Sequence, residues 1–275
     1  MSDGAESIRF LRPPALPGVE IIQGDNCSHL FSVFHTSYEV STVLAKPVAS
    51  DWRYRGNSHQ TASFGTSFME PGETHHNTSI TGPGDFRVLV ISPDALGRAA
   101  TEFGYLGTPH YREAQTFDRG LYRHFTRLHA SLDGRATVLE QQSRFAECVR
   151  LLLEGWMESR SLVAKPVGEP AAVRRMRSHL DEHYARNVTL EELAGVARLT
   201  RFHAIRVFSR HLGMPPHAYQ LRRRVAQARE LLRGGTPIAQ VAADVGFYDQ
   251  SHLSGYFRRS LGVTPGAYQR RERGR

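Results

Sequence analysis

Leu190–Tyr219 reads LEELAGVARLTRFHAIRVFSRHLGMPPHAY, and Ile238–Tyr268 reads IAQVAADVGFYDQSHLSGYFRRSLGVTPGAY. The two stretches are copies of one unit. Phe208 aligns with Phe257, Leu212-Gly213 with Leu261-Gly262, Pro216 with Pro265, and Ala218-Tyr219 with Ala267-Tyr268, all at an offset of 49. Leu193-Ala194 aligns with Val241-Ala242 at an offset of 48, so the second copy has one extra residue in its turn. Two copies are too few for a solenoid, which needs about three repeats to bury a continuous core.

Each copy reads as helix, tight turn, helix. In the first, Thr189 is placed to cap a helix over Leu190–Ala197, with Glu191 and Glu192 at its positive end. Thr200 caps a second helix, Arg201–His211, which Gly213 terminates. In the second copy Pro237 opens Ile238–Val245, Gly246 makes the turn, and Asp249 caps Gln250–Leu261, closed by Gly262. Ala194 and Ala242 let the paired helices approach closely, and Phe208 and Phe257 fill the space between them. Ala218–Arg233 joins the copies as one helix with an apolar stripe at Leu221, Val225, Ala228 and Leu231-Leu232. At about 1.5 Å per residue it spans roughly 24 Å. With a unit beyond each end, it suits two recognition helices on major grooves about 34 Å apart.

Charge agrees with that reading. Residues 171–275 hold 19 Arg and 8 Asp or Glu, a net of +11, whereas residues 1–170 are net −3. A basic third on a mildly acidic body predicts a polyanion partner for that third alone. The second helix of each pair is the one that meets a major groove. Its expected contacts are Thr200, Arg201, Phe202, His203, Arg206 and Arg210 in the first unit. In the second they are Asp249, Gln250, Ser251, His252, Ser254, Arg258 and Arg259. Arginine can grip guanine and glutamine can grip adenine through two hydrogen bonds, while caps and remaining arginines suit phosphates.

The rest of the chain is different in kind. Residues 1–118 are rich in Gly, Pro and strand formers, with strands expected at Leu30–Phe34, Val40–Leu44, Trp52–Arg55, Ser63–Met69 and Phe86–Ile91. Many short strands with frequent turns predict a barrel or sandwich. Helical spacing follows at Arg119–Leu132 and, after Asp133-Gly134, at Thr137–Ser159. The apolar stripes of this antiparallel pair either cover the barrel or meet another subunit; periodicity does not separate the two. Ser161–Pro170, with two prolines and a glycine, reads as a linker. The expected division is therefore 1–160, a linker at 161–170, and 171–275.

At 40% apolar and 23% charged, the 275 residues have a globular composition. No run approaches the roughly 20 apolar residues of a membrane span, and MSDGAESIRF has no apolar signal core. A cytoplasmic protein with no membrane partner is expected. Cys27 and Cys148 fit no zinc spacing and are expected as reduced, buried thiols.

Residues Arg174–Tyr268 resemble the DNA-binding domain of the AraC/XylS family of transcription regulators. The resemblance is carried by Leu193-Ala194, Phe208, Leu212-Gly213, Pro216 and Tyr219, then Ile238, Val241-Ala242, Val245-Gly246-Phe247, Gln250-Ser251-His252-Leu253, Phe257 and Gly262–Tyr268. It implies that Phe202 and Arg206 face bases from the first unit and Gln250 from the second. The family commonly has arginine where this chain has Gly255, so the first unit is expected to dominate base readout. The N-terminal half is similar to the family's sugar-sensor type of domain, on Trp52–Gly56, Phe68–His75 and Phe86–Ile91. This implies a multidomain α+β chain: a cupin-like barrel with a helical pair, then an all-α domain with two helix-turn-helix units. It also implies double-stranded DNA and a small-molecule effector as partners, a homodimer, and activation of transcription with RNA polymerase as a further partner. A small barrel has room for one small ligand. His35, Tyr38, Trp52, Tyr54, His75 and His76 are the expected lining, although Trp52 and Tyr54 also suit plain core positions.

The alternative is a metal-dependent cupin enzyme fused to a DNA-binding module. Glu70, Glu73, His75 and His76 cluster in sequence, but the upstream His-x-His pair usual in metal cupins is missing. No nucleophile motif, phosphate loop or dinucleotide fingerprint occurs. No cofactor, metal or catalytic residue is expected.

Overall fold

A computed structural model describes residues 6–44, 50–61, 63–132, 136–161, 169–261 and 263–273. Most of the expected linker, the Asp133-Gly134 turn and the Gly262 cap lie outside these residues. The chain divides into two units, Met1–Leu132 with Arg144–Ala164, and Asp133–Ser143 with Lys165–Arg275.

The first unit opens with β1 (Ser7–Leu11), β2 (Val19–Cys27), β3 (Ser32–Phe34), β4 (Tyr38–Val43), β5 (Ser50–Tyr54), β6 (Asn57–Thr61), β7 (Thr66–Met69), β8 (Thr74–Ile80) and β9 (Gly84–Ile91). There follow α1 (Pro93–Glu102), β10 (Tyr105–Tyr111), β11 (Gln115–Thr116), α2 (Arg119–Ser131), α3 (Val138–Leu151) and β12 (Met157–Ser161). The first residues of α3 belong to the second unit. The strands form antiparallel sheets ordered β1-β2-β9-β4-β7-β11 and β3-β8-β5-β6, with β10-β12 as a separate ribbon. Period-two alternation sets the faces. In β4, Tyr38, Val40 and Thr42 are fully buried, while Glu39, Ser41 and Val43 turn the other way into a cavity. All five expected strands are present with shifted ends. Seven others among the described residues, β1, β2, β6, β8, β10, β11 and β12, were not evident from composition.

One expectation is corrected here, and one open alternative narrows. The helix expected to run to Ser159 ends at Leu151, passes through one wide turn at Leu152–Trp156, and gives way to β12. Edge strand β10 supplies the reason: Tyr111 pairs with Met157 and His110 with Glu158, and Met157 is completely buried. Gly155 weakens the helix just before the switch. Second, Leu121, Phe125 and Leu128 of α2, and Val149, Leu152 and Leu153, are all buried within the single chain. That stripe is not open to a second subunit. Cys27 and Cys148 are free and buried, and burial pushes both thiols up, Cys27 to about 11.

The second unit is helical: α4 (Glu169–Glu182), α5 (Leu190–Ala197), α6 (Arg201–Leu212), α7 (Pro216–Arg233), α8 (Ile238–Asp244), α9 (Gln250–Leu261) and α10 (Pro265–Arg273). Helix α4 packs on α5 and α6, and α7 packs on α8, α9 and α10. The α7 stripe of Leu221, Val225, Ala228 and Leu232 forms a core with Val241, Ala242, Val245, Leu253 and Phe257. Phe208 and Phe257 are fully buried, each contributing about 1.5–3 kcal/mol by leaving water.

Candidate nucleic-acid interface and cavity

The two helix pairs end their first helices in the same way. Leu199 N–H donates to Ala194 O at 3.0 Å, and Phe247 N–H donates to Ala242 O at 2.8 Å. Each closes over a residue in the left-handed region, Arg198 at φ +58° and Gly246 at φ +82°. Arg198 is exposed and keeps its side chain. At Gly246 a Cβ would stand 1.9 Å from the Ala185 carbonyl oxygen, so only glycine fits. The offset change from 48 to 49 falls immediately after this turn, at Tyr248, which is 72% exposed. The sequence located the insertion but did not single out Tyr248 as a surface aromatic beside α9.

Side-chain caps start one helix of each pair. Thr189 Oγ accepts from Glu192 N–H at 3.1 Å to start α5, and Asp249 Oδ1 accepts from His252 N–H at 2.6 Å to start α9. Thr200 occupies the N-cap of α6, and Gly213 closes it at φ +67°. On α6, Arg210 is exposed and Arg201, His203 and Arg206 are half-buried. Arg201 pairs with Glu191 at 2.9 Å. On α9, Gln250, Ser251, Arg258 and Arg259 are exposed, and Ser254 is half-exposed. The structure therefore places donors of both helices on a solvent face, with one correction, at Phe202. Phe202, expected on the α6 surface, is buried with 4% exposure. His252 packs edge-on against Phe247 and Tyr256, and burial lowers its pKa. Arg259 lies over the Tyr256 ring at 4.2 Å, a cation–π contact that directs its guanidinium along the helix.

Helix α7 holds one residue that sequence reasoning passed over. Arg224 is completely buried in the middle of the linking helix. Its guanidinium donates to Tyr184 O at 2.7 Å, Arg186 O at 3.0 Å and Gly246 O at 2.5 Å. It ties the segment before α5 to the turn before α9. In sequence it is one of three consecutive arginines, and only its position one turn from Leu221 and Ala228 marks it as inward-facing.

The first unit holds a cavity of about 330 Å³ between its two larger sheets. Of the six residues expected to line it, the structure places only Trp52 and His75 in the wall. Tyr38 donates to Pro109 O at 2.8 Å. Tyr54 donates to Glu73 and accepts from Glu70 N–H at 3.1 Å, and burial with the Glu73 contact raises its pKa. His35 lies behind the wall, its Nε2 2.6 Å from His75 Nδ1 and its Nδ1 3.0 Å from Glu39. Burial, with His35 alongside, lowers the His75 pKa to about 4. His76 points outward, because adjacent residues of a strand face opposite sides. The wall also includes Glu39, Met69, Asn77 and Phe86, which the alternation of β4, β7, β8 and β9 could have revealed once the strands were known.

The carboxylates of the alternative metal reading are engaged elsewhere. Arg55 pairs with Glu70 at 3.0 Å and Glu73 at 2.7 Å, and Glu70 also meets His110 at 3.0 Å. Among the described residues no group of three or more His, Cys, Asp or Glu side chains is arranged to hold a metal. Among them, no helix is long and apolar enough to cross a membrane.

A helix-turn-helix domain family matches residues 193–271. The HTH-type transcriptional regulator YbfI of Bacillus subtilis is 30% identical over 188 residues, covering 67% of this chain and 68% of that protein. The HTH-type transcriptional activator RhaS of an Enterobacter species is 32% identical over 98 residues, 35% of each protein, so this chain spans about a third of its length. Among solved structures, a probable AraC family transcriptional regulator from Rhodopseudomonas palustris is 26% identical, covering 37% of this chain and 97% of that one at a TM-score of 0.36.

Proposed function

This chain belongs to the AraC family of DNA-binding transcription regulators, and we propose that α6 and α9 are the recognition helices of two helix-turn-helix units on one DNA site. The observation that carries this reading is the repeated construction itself. Two helix pairs share a cap geometry, each turns a polar, arginine-bearing second helix to solvent, and one continuous α7 joins them. Arg206 and Gln250 are assigned to base edges; Thr200, Arg210, Ser251 and Arg258 are assigned to positioning on phosphates. Phe202 is left to the core.

In this reading the first unit, roughly residues 1–160, is a cupin-like barrel for a small-molecule effector. A linker near 161–170 tethers the DNA-binding domain, 171–275. Effector binding alters how two such domains of a homodimer are presented to DNA and, at an activated promoter, to RNA polymerase. Support comes from the cavity between the sheets and from the net charge of +11 confined to the last 105 residues.

The test is fluorescence anisotropy of the full chain on DNA from upstream of its own and neighbouring genes, against scrambled DNA, across a salt series. Sequence-selective binding with a log–log salt slope of several units is expected. No binding to either DNA at low salt would overturn the reading. A ligand that occupies the cavity and leaves affinity unchanged at every site would refute the coupling, by linkage.

A further inference from the structure

The cavity between the two larger sheets has a carbon side and a polar side. Ile22, Phe31, Phe86 and Val88 supply hydrocarbon, and Phe31 meets Phe86 edge-on at 5.7 Å. Across from them stand Glu39 of β4 and His75 of β8. Strand β4 is central in its sheet and its other face is buried, so the 17% of the Glu39 side chain that is exposed opens to the cavity. His75 is likewise only partly buried.

The two are joined through His35, which lies completely buried behind the wall. Glu39 Oε1 is 3.0 Å from His35 Nδ1, and His35 Nε2 is 2.6 Å from His75 Nδ1. The second Glu39 oxygen and His75 Nε2 have no partner among the described residues. A carboxylate only accepts hydrogen bonds, so the His35 nitrogen beside it carries a proton. The two imidazoles share one further proton. Placed on His75 Nδ1, it leaves both rings neutral and His75 Nε2 as an acceptor near the carboxylate. Burial, with His35 alongside, keeps His75 from taking up a second proton.

No lysine or arginine lines the cavity among the described residues, and Asp85, the other acid in the wall, takes the Asn26 N–H at 2.8 Å. The polar side thus offers acceptors and one carboxylate within a space otherwise walled by hydrocarbon, where charges are weakly screened. An anion is repelled there. A polyol would set several hydroxyls against carbon, and each unpaired hydroxyl is costly to desolvate.

We propose that the cavity binds a primary amine on an apolar or aromatic body, its ammonium donating to Glu39 and His75 Nε2 and its hydrocarbon lying against Phe31 and Phe86. Its part in regulation rests on the effector reading above; the binding itself does not.

The experiment uses the full chain with four probes: 4-phenylbutylamine, 4-phenylbutanol, 4-phenylbutyrate and L-arabinose. The first three share one body and differ in their end group. Binding is read by titration calorimetry and by nitrogen-15 spectra of the histidine rings, with His75→Gln assigning the His75 signals. Saturable binding of the amine is expected, tighter than the alcohol by about tenfold or more, the lower worth of a charge-assisted hydrogen bond. The His75 Nε2 resonance should move as the amine binds. Phenylbutyrate and arabinose should give no saturable signal. Glu39→Gln should abolish the preference for the amine over the alcohol and leave alcohol binding nearly unchanged; if that variant does not fold, the probe series on the unaltered chain still decides. Failure of the amine to bind, alcohol or butyrate binding as tight as the amine's, tighter binding of arabinose, an unmoved His75 resonance, or an amine preference that survives in Glu39→Gln would overturn the proposal. DNA anisotropy on the same samples keeps the two readings apart. Amine that binds without altering DNA affinity leaves the ligand class intact and counts against the effector coupling. Arabinose that binds and shifts DNA affinity does the reverse.

Discussion

Arg224→Met removes a buried cation while keeping an unbranched apolar stem of similar length. Three hydrogen bonds to backbone carbonyls are lost, from Tyr184, Arg186 and Gly246. At about 2 kcal/mol for each charge-assisted bond, they sum to about 6 kcal/mol. Against this stands the cost of holding a guanidinium out of water, which lowers its pKa from 12.5 to about 10. That depression corresponds to about 3 kcal/mol. The balance predicts that Arg224→Met destabilises the second unit by about 3 kcal/mol. Arg224→Lys should lose roughly 2 kcal/mol, because a compact ammonium cannot reach three divergent carbonyls as a planar fork does. Both tryptophans, Trp52 and Trp156, lie in the first unit. Urea unfolding followed by far-ultraviolet circular dichroism and by tryptophan emission therefore separates the units. The dichroism transition should move to lower urea with the emission transition unchanged. A Lys variant indistinguishable from the unaltered chain would refute the carbonyl-bridging role and leave Arg224 as packing alone.

Four further outcomes follow from the geometry. Gly246→Ala should destabilise the second unit by about 3 kcal/mol or more in urea titration, because both φ +82° and the Ala185 carbonyl oppose a Cβ. Gly255→Ala should stabilise that unit by about 0.5–1 kcal/mol in the same titration, since its Cβ would meet nothing nearer than Arg259 Nη1 at 3.7 Å. Arg206→Ala should cost about 1–3 kcal/mol on the selected DNA and relax preference at one base pair; an equal loss on all sequences in anisotropy would reassign it to phosphate contact. On acidification, the first unit should lose stability between pH 6.5 and about 4, read by tryptophan emission in urea. Burial holds His75 neutral down to about 4 and His129 to about 3 in the folded chain. Unfolded histidine takes its proton near 6.5, so the unfolded state binds protons first as pH falls, and stability from pH 7 to 8 should not change through these groups.

The second unit was legible because its signals are local. Thr189, Asp249, Gly213 and Gly246 announce caps and turns at positions the chain itself specifies, and the repeat at offsets 48 and 49 supplied two independent readings of one pattern. The first unit depended on partners distant in sequence. Strand β8, Thr74–Ile80, reads THHNTSI and has little apolar character, yet it is held between β3 and β5 by pairing. Strand β12 looked helical until β10 offered it an edge. The faces of Tyr38 and Glu39 could not be told apart from sequence, because both faces of β4 are covered. Phe202 misled for a simpler reason: a helix's first turn carries no periodicity of its own to show which way residue two faces.

The same contrast bears on how α6 and α9 are held. Equivalent turn positions carry Arg198 in the first pair and Gly246 in the second. The difference is not in the backbone, since both adopt the left-handed conformation and both make the same carbonyl bond back to an alanine. It lies in what stands opposite. The first turn faces solvent and tolerates a side chain at a conformational cost of about 1 kcal/mol. The second is pressed against the segment at Tyr184–Arg186, where Arg224 from α7 gathers the carbonyls of both. The turn that aims α9 is thus anchored to the same point that leads into α5. With 18 residues, α7 extends about 27 Å as a rod. A rod alone fixes distance between the pairs but not rotation about its axis. Contacts from a buried arginine to both the segment before α5 and the turn before α9 add a constraint that a rod lacks.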